Sequence, residues 1–315
     1  MNRGSTESGT LDVVIVNWNT GTYLRRCLDS LRVASESIEL GRAFVVDNAS
    51  TDNSADDLPD VPSMTVLRNR LNIGFAAACN QAARLGTASY VLFLNPDTVL
   101  MPGALRAAVG FMESESGARY GVCGGLVLGE DGSPGFSASR FPTLTNVTAG
   151  LLRLDRLAPR GIASRHLRAD ELSASGPVDQ VIGAFFLVRR DLFERLDGFD
   201  ERYFLYFEEV DFCLRARDLG WPTYFLREAR VHHVGNVSAH RSGGQALYHS
   251  LRSRTLFAFR HWSRVSAWAV VLLTVAVELP ARLARAAMSG NRSELIAVSR
   301  ACGSYLRFLG RPGRP

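Results

Sequence analysis

The 315-residue chain contains no lysine; all 36 of its basic side chains are arginine, set against 31 carboxylates for a formal net charge of +5. Guanidinium groups favour forked contacts with phosphates and keep their charge when partly buried. A basic balance admits nucleotide, nucleic-acid or anionic-lipid partners without choosing among them. Cysteine is scarce: Cys27, Cys79, Cys123, Cys213 and Cys302 include no C-x-x-C pair. An odd, scattered set argues against a disulfide framework or a zinc knuckle and fits buried thiols in a reducing compartment. Met1 to Thr10 is polar with no apolar core, so no signal peptide is expected and residues 1–10 read as disordered. No G-x-G-x-x-G follows the first apolar run and no phosphate-binding P-loop signature occurs, which argues against a dinucleotide dehydrogenase and a nucleoside triphosphatase.

What is present is a regular alternation. Val13 to Val16 is a continuous β-branched run of the kind a fully buried parallel strand needs. Leu24, Cys27, Leu28 and Leu31 then recur at helical spacing, with Thr20 as the expected cap. Phe44 to Val46 and Thr65 to Leu67 read as further strands. Phe75 to Leu85 reads as an Ala-rich helix closed by Gly86 in a left-handed cap. Tyr90 to Leu94 is the next strand, followed by a helix from Pro102 to Met112. Such βαβα order predicts a doubly wound, mainly parallel sheet. Its polar residues fall just past strand ends, where that architecture binds ligands: Asn17, Asp47 with Asn48, and Asn95-Pro96-Asp97.

The densest chemistry lies between Gly198 and Arg217, where Glu208, Glu209 and Asp211 stand against Tyr203, Phe204, Tyr206 and Phe207. Acids beside aromatics lose hydration, which raises a carboxylate's pKa and makes it a usable proton acceptor. Val210, Cys213 and Leu214 place these acids at the start of an amphipathic helix that Gly220 and Pro222 end. In the strand expected over Val181 to Val188, the Gly183-Ala184 step lets a ligand approach the backbone.

The acidic run resembles the G-F-D-E-x-F-F-x-Y-x-E-D-x-D-x-x-x-R signature of family 2 glycosyltransferases, especially their bacterial rhamnosyltransferase-like branch, with Glu209 in place of the usual Asp. The resemblance covers residues 11 to 240. It implies an α/β fold of the GT-A nucleotide-sugar-binding type and an inverting, metal-dependent transfer in cell-envelope glycan synthesis. Glu209 would be the catalytic base, with Glu208 supporting the site or contacting the acceptor. Asp47 would receive the nucleotide base, with Asn17, Asn48, Asn72, Gly74 and Phe75 forming other parts of that pocket. Asn95-Pro96-Asp97 resembles the N-P-D variant of the fold's D-x-D element, so Asp97 would bind Mg²⁺ or Mn²⁺ and Asn95 would hold the ribose. Val231 to Ser238 resembles the late H-x-G-x-x-S element, whose spacing favours His233 as the second metal ligand with His232 as runner-up. Gly183, Ala184, Tyr206 and Asp211 are the expected acceptor contacts. The branch suggests dTDP-rhamnose as donor and a lipid-linked or polysaccharide acceptor, with no nucleic-acid partner.

Two other classes compete. A sugar-phosphate nucleotidyltransferase would carry a Gly-rich, basic loop after the first strand, which Asn17-Trp18-Asn19-Thr20-Gly21 does not resemble. A non-catalytic membrane-binding scaffold would have lost the acids and Asp97.

Gly129 to Pro177 is rich in Gly, Ser and Pro, with Arg153, Arg156, Arg160, Arg165 and Arg168, and reads as a lid or binding segment. The expected division is therefore 11–250 as the catalytic domain, split into nucleotide (11–128) and acceptor (129–250) halves, then 251–315 as a basic, apolar helical region. Within the latter, the uncharged stretch Val265 to Val277 is shorter than the about 20 apolar residues a spanning helix needs. Flanked by Trp262, Trp268 and arginines, it suits a helix lying in an anionic membrane surface, peripherally on the cytoplasmic face.

Overall fold

Strand β1 (Leu11–Asn17) is buried at every position, as a strand covered on both faces must be. It pairs in parallel with β2 (Leu40–Asp47) on one side and β4 (Tyr90–Leu94) on the other, and β3 (Met64–Arg68) extends the parallel set beyond β2. The structure is a computed structural model that describes residues 10–152, 165–235 and 244–310. Side-chain alternation divides the core. Val14, Val16, Phe44, Val46 and Phe93 face α2 (Phe75–Ala83), whereas Val13, Ile15, Val45 and Leu92 face α1 (Tyr23–Ser35) and α3 (Ala104–Glu113).

The sheet continues past β4 with β10 (Phe185–Arg189), β6 (Val122–Leu128), β11 (Thr223–His233) and the short β5 (Thr98–Leu100), giving the order β3-β2-β1-β4-β10-β6-β11-β5. β10 is antiparallel to both neighbours, so β6 and β11 run with the first four strands; β5 and β8 (Gly176–Val178) run against β11. The sheet is thus mainly parallel, with antiparallel strands in the second half. Apart from it, β7 (Ala138–Ser139) pairs with β9 (Gln180–Val181). The strand expected over 181–188 is therefore two, broken at Ile182, Gly183 and Ala184.

A buried ion pair ties the two halves of the sheet. Arg190, opening α5 (Arg190–Arg195), donates to Asp12 Oδ2 at 2.7 Å and to Ala83 O at 2.9 Å, while Asp12 also accepts from the Arg42 and Ala88 amides. A Cβ at Gly86 would lie 2.1 Å from Asp12 Oδ2, so glycine is required there for space. The expected left-handed cap is absent, since Gly86 is not among the residues with positive φ. Thr20 is likewise no cap; its hydroxyl donates to Asn17 Oδ1 at 2.5 Å.

The carboxyl-terminal region contains α7 (Gln245–His261), α8 (Arg264–Leu273), a π-helical turn (Thr274–Glu278), α9 (Leu279–Met288) and α10 (Arg292–Gly310). The boundary expected between residues 250 and 251 falls inside α7. Leu251, Leu279, Cys302 and Tyr305 form a small separate core, and Tyr305 bonds Thr255 of α7 at 2.8 Å. Helix continues without interruption over 264–288, 25 residues rather than the shorter run expected, and is long and apolar enough to cross a membrane by length and composition. The π turn lies just before Pro280, which has no N–H to give the helix. There Glu278 accepts from Arg254 and, at 2.9 Å, from Arg282. Val265, Trp268 and Leu272 project outward at helical spacing. Helix α4 (Leu144–Leu151), held by a Thr143–Asn146 capping box, packs on α8. Arg153, Arg156 and Arg160, with residues 1–9 and Asn236 to His240, lie outside the described residues.

Candidate active site

The carboxyl ends of β1, β2 and β4 carry the polar residues that the sequence pattern places there. Asn17 is fully buried, and its Nδ2 donates to Asp47 Oδ1 at 3.1 Å and to Ser54 Oγ at 2.9 Å. This pair forms the layer beneath a cleft of about 470 Å³ and does not line it. Asn48, the next residue, does line it. Its Oδ1 accepts from the Ile73 amide and its Nδ2 donates to Asn72 Oδ1 at 2.9 Å, so one side chain holds the 72–74 segment. Gly74 has φ +92°, and a Cβ there would sit 2.8 Å from the Phe204 carbonyl oxygen. That oxygen accepts from the Phe75 amide at 2.7 Å, which fastens the nucleotide-side loop to the acidic segment.

Asp97 and His233 meet although 136 residues separate them: His233 Nε2 is 3.1 Å from Asp97 Oδ1 and 3.3 Å from Asn95 Nδ2. The antiparallel register of β5 on β11, with Thr98 opposite His233, brings them together. Asp97 Oδ2 accepts from the Gly235 amide at 3.1 Å, which fixes the carboxylate plane. His232, one position away and therefore on the other face of the strand, directs its Nδ1 to the Gly129 carbonyl at 3.1 Å. Of the two histidines only His233 lines the cleft. An imidazole nitrogen and a carboxylate oxygen converging on a cleft fit a hard divalent cation that takes its remaining ligands from water and phosphate oxygens. No group of three or more His, Cys, Asp or Glu suited to a metal occurs among the described residues.

The acids stand at the start of α6 (Glu208–Asp218). Tyr206 and Phe207 both adopt left-handed backbone, φ 66° and 74°, a conformation costly for bulky residues and found where a site constrains the chain. Phe207 is held in it by burial, with the Phe257 ring 5.4 Å away and the Arg165 guanidinium 4.9 Å from its centroid. Tyr203 is buried in the core, while Phe204 and Tyr206 line the cleft with Glu208 and Glu209. One oxygen of each glutamate is buried without a hydrogen-bond partner. Burial, and then the charge of Glu209, push the Glu208 carboxyl well above the ordinary range. Burial also raises Glu209, opposed by backbone amides and by the Arg165 guanidinium. Both carboxyls are thus raised by burial, and at Glu209 the Arg165 guanidinium works against the rise.

Of the residues singled out from sequence, the cleft collects Asn48, Asn72, Phe75, Asn95, Asp97, Gly183, Ala184, Tyr206, Glu208, Glu209 and His233. Asn17, Asp47 and Gly74 support it from behind. Asp211 is a correction. Its side chain has no exposure and its carboxylate is taken by Arg215 at 2.7 Å, His261 at 2.7 Å and Arg260 at 3.2 Å, so it braces α6 and does not face an acceptor. Trp18, Phe136, Phe204 and, from α7, Gln245 and His249 also line the cleft. Arg165 was legible only as one arginine in a basic stretch. His249 carries no motif at all, and its placement depends on how α7 packs.

Comparison with known proteins gives a consistent picture. The family model described as glycosyl transferase family 2 matches residues 12–197. An N-acetylglucosaminyl-diphospho-decaprenol L-rhamnosyltransferase of Mycobacterium tuberculosis is 30% identical over 266 residues, 80% of this chain and 85% of the relative. The rhamnosyltransferase WbbL of Escherichia coli K12 is 28% identical over 56% of this chain and 62% of its own. Among solved structures, a mannosyltransferase of Pyrobaculum calidifontis in complex with GDP-Man and Mn²⁺ superposes with a TM-score of 0.53 at 18% identity, over 96% of this chain and 81% of that one. That superposition bears on the fold, which is of the GT-A type.

Proposed function

The chain belongs to glycosyl transferase family 2, and we propose that it is an inverting rhamnosyltransferase acting on a lipid-linked acceptor. As a nucleotide-sugar-dependent glycosyltransferase, it needs a nucleotide pocket, charge compensation for the departing diphosphate and a base for the acceptor hydroxyl. One cleft lined together by Asn48 and Asn72, by Asp97 and His233, and by Glu208 and Glu209 is the observation that carries this reading.

In the proposed step, the acceptor oxygen bonds to the anomeric carbon as the bond from that carbon to the diphosphate breaks. The hydroxyl proton passes to Glu209, and the bonding electron pair leaves with the nucleoside diphosphate. Glu209 suits the task because burial raises its carboxyl, which makes it a better proton acceptor, while the Arg165 guanidinium favours its ionised form. Asp97 and His233 would hold Mg²⁺ or Mn²⁺, which supplies positive charge to the diphosphate oxygens. Asn95 and Asn48 orient the donor, and Asn17 keeps Asp47 in place beneath it.

Rhamnose as the transferred sugar is supported by the two relatives named as rhamnosyltransferases and the polyprenyl-diphosphate-linked acceptor by the name of the first, while dTDP as its carrier rests on the family resemblance. Peripheral membrane association is supported by the outward Val265, Trp268 and Leu272, with Arg264, Arg282 and Arg285 on the same helix, and the cytoplasmic face is taken as where the nucleotide sugar is met. Residues 11–128 then form the nucleotide half and 129–250 the acceptor half, with α7 running across the end of the latter into the carboxyl-terminal region. The test is incubation with a panel of nucleotide sugars and a polyprenyl-diphosphate-linked sugar, detecting nucleoside diphosphate and glycosylated lipid. Rhamnosylated lipid from dTDP-rhamnose is expected; release from no nucleotide sugar overturns the reading.

A further inference from the structure

We propose that the stacked rings of Phe204 and His249 form a pyranose-binding platform in the cleft, with the His249 imidazole hydrogen-bonding a sugar hydroxyl; this rests on the glycosyl-transfer reading above. The rings come from separate elements, the loop before α6 and the second turn of α7, yet stack with centroids 4.4 Å apart and planes 13° apart. Both line the cleft. The stack is braced on each side. The Phe204 carbonyl accepts from Phe75, while α7 grips the loop through Arg252 to the Arg202 carbonyl and Ser253 to the Leu205 carbonyl, both at 2.8 Å.

His249 Nδ1 is buried and has no hydrogen-bond partner among the described residues. A buried polar atom left unpaired costs stability and is retained where something else satisfies it. Burial, reinforced by the Arg252 charge, pushes this imidazole down to about 4, so the ring is neutral at physiological pH. A neutral imidazole offers one N–H and one lone pair, which matches a hydroxyl that both gives and accepts. Flat apolar faces with one polar atom complement a pyranose, whose apolar C–H face is edged by hydroxyls. A lipid chain has no use for the nitrogen. The shared chemistry is a sugar ring, either that of the acceptor or the one being transferred.

The experiment uses the full chain and three variants: His249→Phe, which keeps the stack and removes the nitrogens; His249→Asn, which keeps a polar group near Nδ1; and Phe204→Leu. KM is measured for acceptor and for nucleotide sugar, and Kd for the nucleoside diphosphate alone. His249→Phe is expected to raise one sugar-dependent KM about five- to tenfold, the effect of one lost hydrogen bond, with a clearly smaller change in nucleoside diphosphate Kd. His249→Asn recovers part of the loss. A rise in acceptor KM assigns the acceptor sugar, and a rise in nucleotide-sugar KM assigns the transferred one. The proposal is overturned if both KM values stay within about twofold, if all three constants move alike, or if only nucleoside diphosphate binding weakens. Should the wild-type chain turn over no nucleotide sugar, the underlying reading fails instead. Saturation-transfer NMR with methyl glycosides then still decides the platform by whether His249→Phe loses the signal.

Discussion

His261, the last residue of α7, places its Nε2 2.7 Å from Oδ1 of Asp211, a fully buried carboxylate in the first turn of α6. Arg215 and Arg260 share that carboxylate, so the helix bearing Glu208 and Glu209 is fastened from the carboxyl-terminal region. His261→Ala is expected to lower unfolding stability by about 1–3 kcal/mol. Asp211→Asn, which removes the charge that Arg215, Arg260 and His261 share, is expected to cost more, about 3–5 kcal/mol. Denaturant unfolding of the purified chain checks both; Asp211→Asn at wild-type stability would show that the network does not brace α6.

The metal dependence proposed above rests on the Asp97–His233 contact. Chelation is expected to abolish transfer and Mg²⁺ or Mn²⁺ to restore it. Asp97→Ala should be folded and inactive, and His233→Ala should weaken metal binding and lower activity. His232→Ala should be milder, because that ring is bonded to the Gly129 carbonyl instead. Full activity in excess chelator would contradict this assignment.

The glutamate pair predicts a pH dependence of stability. Burial and the neighbouring charge raise the Glu208 carboxyl well above its ordinary value, so the folded chain holds a proton that the unfolded chain has released. Stability that is complete below the ordinary carboxylate range is therefore lost as pH rises toward the folded value. Glu208→Gln removes that loss. It should stabilise the chain at neutral pH by about 1–3 kcal/mol and leave stability unchanged near pH 4, as thermal unfolding at the two pH values will report.

The proposed membrane binding would use the outward face of the 264–288 helix. Val265→Glu with Leu272→Glu should release the chain from anionic vesicles in flotation assays while its unfolding temperature is kept, since both residues are exposed. Raised salt should release part of the wild type, because the flanking arginines contribute charge attraction. Equal flotation of wild type and double variant would contradict the assignment.

Much of the nucleotide half was legible because its strands are apolar runs closed by Asn or Asp, and the acidic signature is contiguous. The antiparallel strands of the second half were not. β5 is three residues long, and its pairing with β11, which joins Asp97 to His233, is a long-range contact that leaves no local pattern. Asp211 looked like part of an acidic site, but helical geometry turns it into the core toward Arg215, one turn on. Thr20 and Gly86 fitted cap rules, yet tertiary partners claimed both. His249 and Arg165 reach the site through packing alone.

The role of Glu209 is the centre of this account, and comparing Glu209→Gln with Glu208→Gln tests it most directly. The expected result is a fall in kcat of about 10²–10⁴ for Glu209→Gln with donor Kd nearly unchanged, because a base acts in the transition state. Glu209→Asp should retain appreciable activity, and Glu208→Gln should be the milder amide substitution. A near-wild-type Glu209→Gln beside an inactive Glu208→Gln would contradict the assignment and move the base by one residue.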